Sequence, residues 1–468
     1  MRNKMLHKAA LLLVISAMLF TGCSSGPAKE TEQPSTLKVM YFDESYFFQQ
    51  YGDLFTMKHP NIDIQVVSTQ AIDNSGKDYK KAFDEFVEKE QPDVILLPNN
   101  NFASYASEGK LAELDTLIER DKFNTESFFP GMLEQMKELG GGKLYGMSPY
   151  FYQEAIIYNV DLFKKYGVDV PHDGMSWQEL LDLARRFPTD GDDKSRVYGY
   201  GTEYSLGVSA LGQAIGRTEG LTDVNPDTLK VTVDTDSWKK AYQTAIDAMN
   251  SKAVYSPKDN GFSGSMEDYY KTQMFLMGRM AITRGDPYIL ENLKDAKNAV
   301  KNYKPFQVGI VAGPVDPTQP DSTRDASPGD IFAIKANSPN TDAAWEFLKF
   351  INGDEFAKIK SKSIGSNGLL SRMGYLKEYE GTSLEPYYKL KPILDGTLKS
   401  NNKIPNKFHN EFETILDKEI GQVLDKKKSL DDALKAIQQQ GQAALDQAVK
   451  DKAAGKDTDG SRGTITVS

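Results

Sequence analysis

"LKVMYFDESYFFQQYGDLFTMKHPNIDIQVV", residues 37–67, decides the fold. "LKVMYF" (37–42) has the β-branched and aromatic content of a strand. The next run, 44–60, places Phe47, Tyr51, Leu54 and Phe55 at helical spacing and stops at Pro60. "IDIQVV" (62–67) is a second strand. The pattern then repeats. Residues 77–90 put Tyr79, Phe83, Phe86 and Val87 on one helical face, and "DVILL" (93–97) is a nearly unbroken apolar strand of the kind covered on both faces. Strand, helix, strand, helix, strand predicts βαβ units and a parallel sheet.

Such sheets bind ligands at the carboxyl ends of their strands. Here those ends are "YFDE" (41–44), "STQ" (68–70) and "PNNN" (98–101), all with side chains able to form hydrogen bonds. The same residue types also serve as helix caps and turn formers, so each carries both readings.

Further along, helices are expected at 177–187, 237–250 and 267–277, with Gly-, Asp- and Pro-rich loops between them. A strand "DIFAIKA" (330–336) precedes a helix at 340–352. The tail is helical, with Ser429 and Asp432 as a cap-like start and Leu430, Leu434, Ile437, Leu445 and Val449 at helical spacing. The roughly 430 residues beyond position 36 favour two domains, and no internal repeat is present.

Working outward to the start, residues 9–20 form a twelve-residue run interrupted only by Ser16, behind Arg2, Lys4 and Lys8. A membrane-spanning helix needs about 20 apolar residues. A positive start, a short apolar core and small residues at its end describe a secretory signal. Leu19-Phe20-Thr21-Gly22-Cys23 resembles a bacterial lipobox, so Cys23, the chain's one cysteine, is expected to carry lipid and become the first mature residue. One acyl chain binds membrane marginally, while two or three hold stably. Residues 1–22 are then the signal peptide and 23–36 a flexible tether.

Loss of residues 1–22 removes three cations and no acid, taking the formal charge from −10 to −13. That balance excludes a nucleic-acid footprint. It also disfavours a strongly anionic ligand, unless a local basic pocket overrides it. With Cys23 acylated, no thiol is left for disulfides or redox chemistry.

Catalytic and metal signatures are missing. "GGGK" (140–143) lacks the leading glycine of a phosphate loop, and "GFSGS" (261–265) has the wrong spacing for a nucleophile elbow. The mature histidines, His59, His172 and His409, are far apart in sequence. "DGDDKS" (190–195) and "DTDG" (457–460) lack the spacing of a calcium loop. Two suitably placed carboxylates among 66 acids would still make a glycosidase.

The stretch "YQEAIIYNVDLFKKYGVDVPHDGMSWQELLDLARRF" (152–187) resembles the signature of the extracellular solute-binding proteins of ABC importers, in their sugar-binding cluster. The matching residues are Tyr158, Asn159, Asp161, Leu162 and Phe163, then Gly167, Val168 and Pro171, then Ser176, Trp177, Glu179 and Leu180. Three further blocks agree: "FLMGRMAITRGDPY" (275–288), "SPGDIFAIKANSPNTDAAWEFLKFI" (327–351) and "KIPNKFHNEF" (403–412). The resemblance runs from residue 1 to about 450. Local physics reads most of the signature as fold: Ser176 caps the helix that starts at Trp177.

The resemblance implies an α/β, two-lobed, periplasmic-binding-protein-like (type II) fold. Each lobe is a sheet flanked by helices, and the ligand cleft lies between them. Lobe 1 is expected from 37–148 and 330–368, lobe 2 from 149–329 and 369–455, with a polar tail at 456–468. The crossings fall near Pro149, Gly329 and Leu369. The resemblance implies a monomer with no cofactor and no metal, an uncharged polyol or oligosaccharide as ligand, and ABC permease subunits as partners. A peptide, a polyamine or an anionic sugar is the alternative ligand. A glycan-hydrolysing surface lipoprotein and a sensor partner are the rival functions.

By the same resemblance the ligand residues are Tyr41, Asp43, Glu44 and Asn99 from the first lobe and Tyr150, Tyr152 and Gln153 at the first crossing. The second lobe adds Glu203, Tyr204, Asp286 and Tyr288. Gly329 and Asp330 stand at the second crossing, and Phe408 on a late loop. Aromatic rings suit the C–H face of a pyranose, and carboxylates and amides suit its hydroxyls. At roughly 1 kcal/mol net per hydrogen bond, several bonds and one or two stacked rings reach the −8 kcal/mol of a micromolar site.

Overall fold

The computed structural model describes residues 35–73, 79–192, 195–202, 206–256, 264–362, 364, 368–395 and 403–454. The signal peptide with Cys23, most of the tether, Glu203, Tyr204 and the polar tail lie outside the described residues.

The strands that organise the molecule are β1 (Ser35–Tyr41), β2 (Ile62–Ser68), β3 (Val94–Leu97), β4 (Gly146–Met147), β5 (Tyr150–Tyr152), β6 (Ala155–Asn159), β7 (Tyr198–Gly201), β8 (Met280–Gly285), β9 (Val308–Val311), β10 (Ser327–Pro328), β11 (Ile331–Ile334) and β12 (Leu369–Leu370). β1 begins at Ser35, two residues before the expected start, because Ser35 already pairs with Ile62.

The first sheet has the order β2-β1-β3-β11-β4. β1 is parallel to β2 and to β3, as the βαβ pattern requires. β11 and β4 break the parallel expectation. β11 opens with Ile331 beside Leu97, at the carboxyl end of β3, so it can only run antiparallel, and β4 is antiparallel to β11 in turn. All four residues of β3 and all four of β11 are buried, which explains their unbroken apolar character.

The helix after β1 runs through Glu44–Phe47, a π turn Phe48–Gly52 and Asp53–Lys58. It buries Phe47, Tyr51 and Phe55 on the first sheet. On the same sheet, helix Thr341–Ile351 buries Ala344, Phe347, Leu348 and Ile351, with Trp345 beside them. Apolar side chains at i, i+3, i+4 and i+7 make that stripe.

The second sheet has the order β9-β6-β8-β7, with β6 antiparallel to both neighbours and β7 parallel to β8. Its core holds Trp177, Trp238, Phe163 and Phe187. Helix Trp177–Ala184 is capped as expected: the Ser176 side chain accepts from Glu179 N while Glu179 returns to the Ser176 backbone. Replacement Ser176→Ala is expected to cost about 1 kcal/mol, read as a lower denaturation midpoint at unchanged slope. The expected helix at 267–277 is shorter, Met266–Thr272.

A third, small sheet, β10-β5-β12, draws its strands from 150–152, 327–328 and 369–370. The residues just past β12 stay with the first core. Phe129 N donates to Ser371 O at 2.7 Å, Met373 N donates to Ser127 O at 2.9 Å, and Leu369, Leu370 and Leu376 are buried in that core. By Tyr387 the chain has reached the second sheet, where its hydroxyl donates to Gly285 O at 3.0 Å. No described helix is long and apolar enough to cross a membrane.

A tyrosine–aspartate site at the strand ends

The carboxyl ends of β1 and β3, the start of β11 and the small sheet converge. Tyr41 closes β1, and Asp330 stands one residue before β11. Their meeting is set by register, because β11 begins beside the last residue of β3. The Tyr41 hydroxyl donates to Asp330 Oδ2 at 3.0 Å, and the Tyr51 hydroxyl donates to the same oxygen at 2.9 Å. Tyr41 and Tyr51 are buried, while Asp330 is partly accessible.

Rings surround this carboxylate. Tyr46 stacks on Tyr41 at 6.3 Å, Tyr150 lies 6.4 Å from Tyr51, and Phe42 lies 5.1 Å from Tyr46. Tyr152, 36% exposed, is the ring that the group offers to solvent. A pyranose face needs a ring of that kind.

Burial pushes the Asp330 carboxyl above the ordinary aspartate value, and the two tyrosine hydroxyls pull it partly back. Burial, then Asp330, then Tyr46 and Asp286, push Tyr152 up to about 12. Tyr41, Tyr51 and Tyr150 are raised for the same first two reasons. These phenols therefore remain neutral donors at neutral pH, and the charge that shapes the space is negative.

Asp43 caps the helix, accepting from Tyr46 N at 2.9 Å, and takes a longer 3.4 Å bond from Gln70. Glu44 is exposed in that helix's first turn. Asn99 Nδ2 donates to Pro328 O at 3.3 Å, while its Oδ1 is buried without a partner among the described residues. Gln153 is likewise buried, with Oε1 unpartnered among the described residues. Asp286 accepts from Tyr288 N at 2.8 Å, and Tyr288 opens helix Tyr288–Ala299.

Two expectations change here. Gly329 N donates to Tyr150 O at 2.9 Å, and a Cβ at Gly329 would lie 3.2 Å from that oxygen, so the glycine lets chain approach chain. Phe408 is not on a loop. It lies in the first turn of helix Asn406–Leu424, 1% exposed, with its ring 5.0 Å from Phe412 in the second core. Glu203 and Tyr204 lie outside the described residues.

Sequence reasoning left out Tyr46, and took Tyr51 only as a core residue. The available signal was a tyrosine on a phenylalanine face, since a buried hydroxyl needs a partner. It also left out Arg284, whose side chain is 10% exposed and paired with Glu154 at 2.8 Å and Asp325 at 2.7 Å. These three line a pocket of about 330 Å³ with Arg217, Arg324 and Asp395. The signal was a guanidinium inside an apolar strand, which cannot be buried unpaired.

Residues 34–358 match the family model "Bacterial extracellular solute-binding protein". The arabinooligosaccharide-binding protein of Bacillus subtilis is 26% identical over 365 residues, 76% of each chain. Two solved structures share the fold. An ABC substrate-binding protein from Listeria monocytogenes in complex with cycloalternan superposes with a TM-score of 0.58 at 20% identity, covering 90% of this chain and all of that one. A sugar transporter from Rhizobium etli in an open conformation gives 0.63 at 18% identity, covering 87% and 99%. Both likenesses extend over nearly the whole of the solved chains, so the α/β architecture of sheets flanked by helices is the periplasmic-binding-protein-like one. With these strand ends, this site and a family match over residues 34–358, the chain belongs to the bacterial extracellular solute-binding proteins.

Proposed function

We propose that this protein is the carbohydrate-binding component of an ABC importer, held to the outer face of the cell membrane by lipid on Cys23, and that it passes its ligand intact to a membrane permease. The observation that carries the reading is the carboxylate of Asp330, fixed by Tyr41 and Tyr51 and ringed by Tyr46, Tyr150 and Tyr152. It combines a charged acceptor for sugar hydroxyls with an exposed ring for a sugar face. The carbohydrate named for the B. subtilis relative, the cycloalternan bound to the Listeria protein and the description of the Rhizobium protein as a sugar transporter support the same class of ligand.

In this reading the small sheet is the set of crossings between two lobes. The first lobe takes 37–148, 330–368 and also the residues after β12 as far as Leu376, because Ser371, Met373 and Leu376 pack there. The second takes 149–329 and the chain from Asn406 onward, whose Phe408, Phe412 and Leu416 lie in the second core, while Tyr387 and Tyr388 bridge the two through Gly285 O and Leu370 O. The reading includes no catalytic step.

Thermal shift against neutral oligosaccharides tests this. A ligand at 100 times its Kd raises stability by about 2.7 kcal/mol. Mass spectrometry of the recovered sugar is expected to find it unaltered; cleaved product, or no shift with any glycan, overturns the reading. Affinity is also expected to depend on pH in one direction. The ionised Asp330 accepts from the ligand, so affinity depends on the carboxyl having lost its proton. It falls on acidification through the raised value, at a pH above the ordinary 3.8. Titration calorimetry from pH 7 to pH 4 measures it, and an affinity that rises with acid contradicts the assignment.

A further inference from the structure

Arg284 stands at the end of β8, two residues before Asp286, and touches both chain segments that flank the small sheet. Its Nη2 donates to Glu154 Oε2 at 2.8 Å and to Asp325 Oδ2 at 2.7 Å. Glu154 follows β5 by two residues, and Asp325 precedes β10 by two. The guanidinium also lies 5.2 Å from the Trp177 ring, and its Nε is buried without a partner among the described residues. One cation on the second sheet therefore ties down the approaches to two strands of the small sheet.

The two arms are not equivalent. Asp325 is 27% exposed and Glu154 49%. A guanidinium buried this far must keep a carboxylate, since stripping both would leave an uncompensated charge in the interior. Losing one is tolerable if the freed acid can return to water. Glu154 can do so more readily than Asp325. Release of Glu154 would leave Gln153 and Glu154, the two residues between β5 and β6, held only at their ends by the pairing of Tyr152 with Ser327 and of Ala155 with Gly285, while Asp325 keeps Arg284, and hence Gly285 and Asp286, in place.

We infer that Arg284 is a positioning residue with one fixed arm, Asp325, and one releasable arm, Glu154, and that release of Glu154 governs movement of β5 against β8 when the cleft closes. The inference rests on the two-lobed reading above. It sets the mutual placement of Tyr152 and Asp286 without requiring Arg284 to touch the ligand.

Hydrogen–deuterium exchange on the full protein tests it, with wild type, Glu154→Gln, Arg284→Lys and Asp325→Asn, each alone and with arabino- and malto-oligosaccharides. Amides exchange through local opening, so a lost tie appears in the segments it held. Glu154→Gln is expected to speed exchange about two- to fivefold in 150–154 and 285–288, in keeping with a partly exposed ion pair. Other segments and the melting temperature should stay put. Arg284→Lys, which keeps charge but loses the planar fork, should fall between Glu154→Gln and Asp325→Asn. If Asp325→Asn does not fold, Glu154→Gln still decides.

Wild-type segments that respond to sugar, with Glu154→Gln exchanging as wild type does, overturn the inference alone. Faster exchange in Glu154→Gln with no response to any sugar upholds the tie and overturns the carbohydrate reading. No response to sugar and no difference among the variants overturns both.

Discussion

Asp330→Asn is expected to lower carbohydrate affinity roughly 10- to 150-fold while leaving the fold nearly as stable as wild type. The reasoning starts from which oxygen does what. Oδ2 accepts from Tyr41 and Tyr51, and an asparagine carbonyl can take both bonds in its place. The other atom changes from a charged acceptor to an amide donor, which meets a ligand hydroxyl with the wrong polarity. Hydrogen bonds to charged groups are worth about 1.5–3 kcal/mol, which sets the range. Asp330→Ala separates the two roles. It loses the same affinity and in addition leaves the Tyr41 and Tyr51 hydroxyls buried without an acceptor, at about 1–3 kcal/mol each. Calorimetric binding and melting curves on both variants check this. Full binding by Asp330→Asn would remove Asp330 from the site.

How much of this was readable in advance depended on distance along the chain. β1, β2 and β3 and the helices between them followed from runs of a few residues, because burial on a sheet face writes its period locally. The Ser176 cap was readable for the same reason, since donor and acceptor are three residues apart. Tyr51 and Asp330 are 279 residues apart, and no local period reports that they meet. What could be read was each half separately: a tyrosine on an apolar helix face and an aspartate ahead of a buried strand. Phe408 shows the opposite error. The resemblance placed it on a late loop, yet Phe408, Phe412 and Leu416 recur every four residues and are all buried. The four-residue spacing was a local signal for a helix, and Pro405 just ahead of it removes no hydrogen bond the helix needs. The antiparallel course of β11 was invisible for a further reason: it depends on where the chain comes back from, which is a property of the whole topology.

Arg372→Ala is expected to be among the most destabilising single changes in the first lobe, by about 3–5 kcal/mol from two unpaired carbonyls and a void. The side chain is 3% exposed, at the point where the chain leaves β12. Nε donates to Asn352 O at 2.6 Å and Nη2 to Asn124 O at 2.8 Å, while Nη1 bonds Ser127 Oγ and lies 3.2 Å from Asp354. The guanidinium also lies 5.1 Å from the Phe123 ring and 4.8 Å from that of Phe128. Burial pulls its proton affinity down, and Asp354 only partly opposes that, so the charge persists because its protons are satisfied by fixed acceptors. Alanine leaves the Asn124 and Asn352 carbonyls unpaired and opens a void beneath two rings, and both losses act on the segments that flank β12. Lysine is a poor rescue, since a single ammonium cannot reach three directions at once. Scanning calorimetry should show the transition of this lobe lowered by roughly 6 to 20 °C. A shift confined to a degree or two would mean that water or a neighbouring side chain takes over these acceptors, and that the exit from β12 is held by the apolar contacts of Leu369, Leu370 and Leu376 alone.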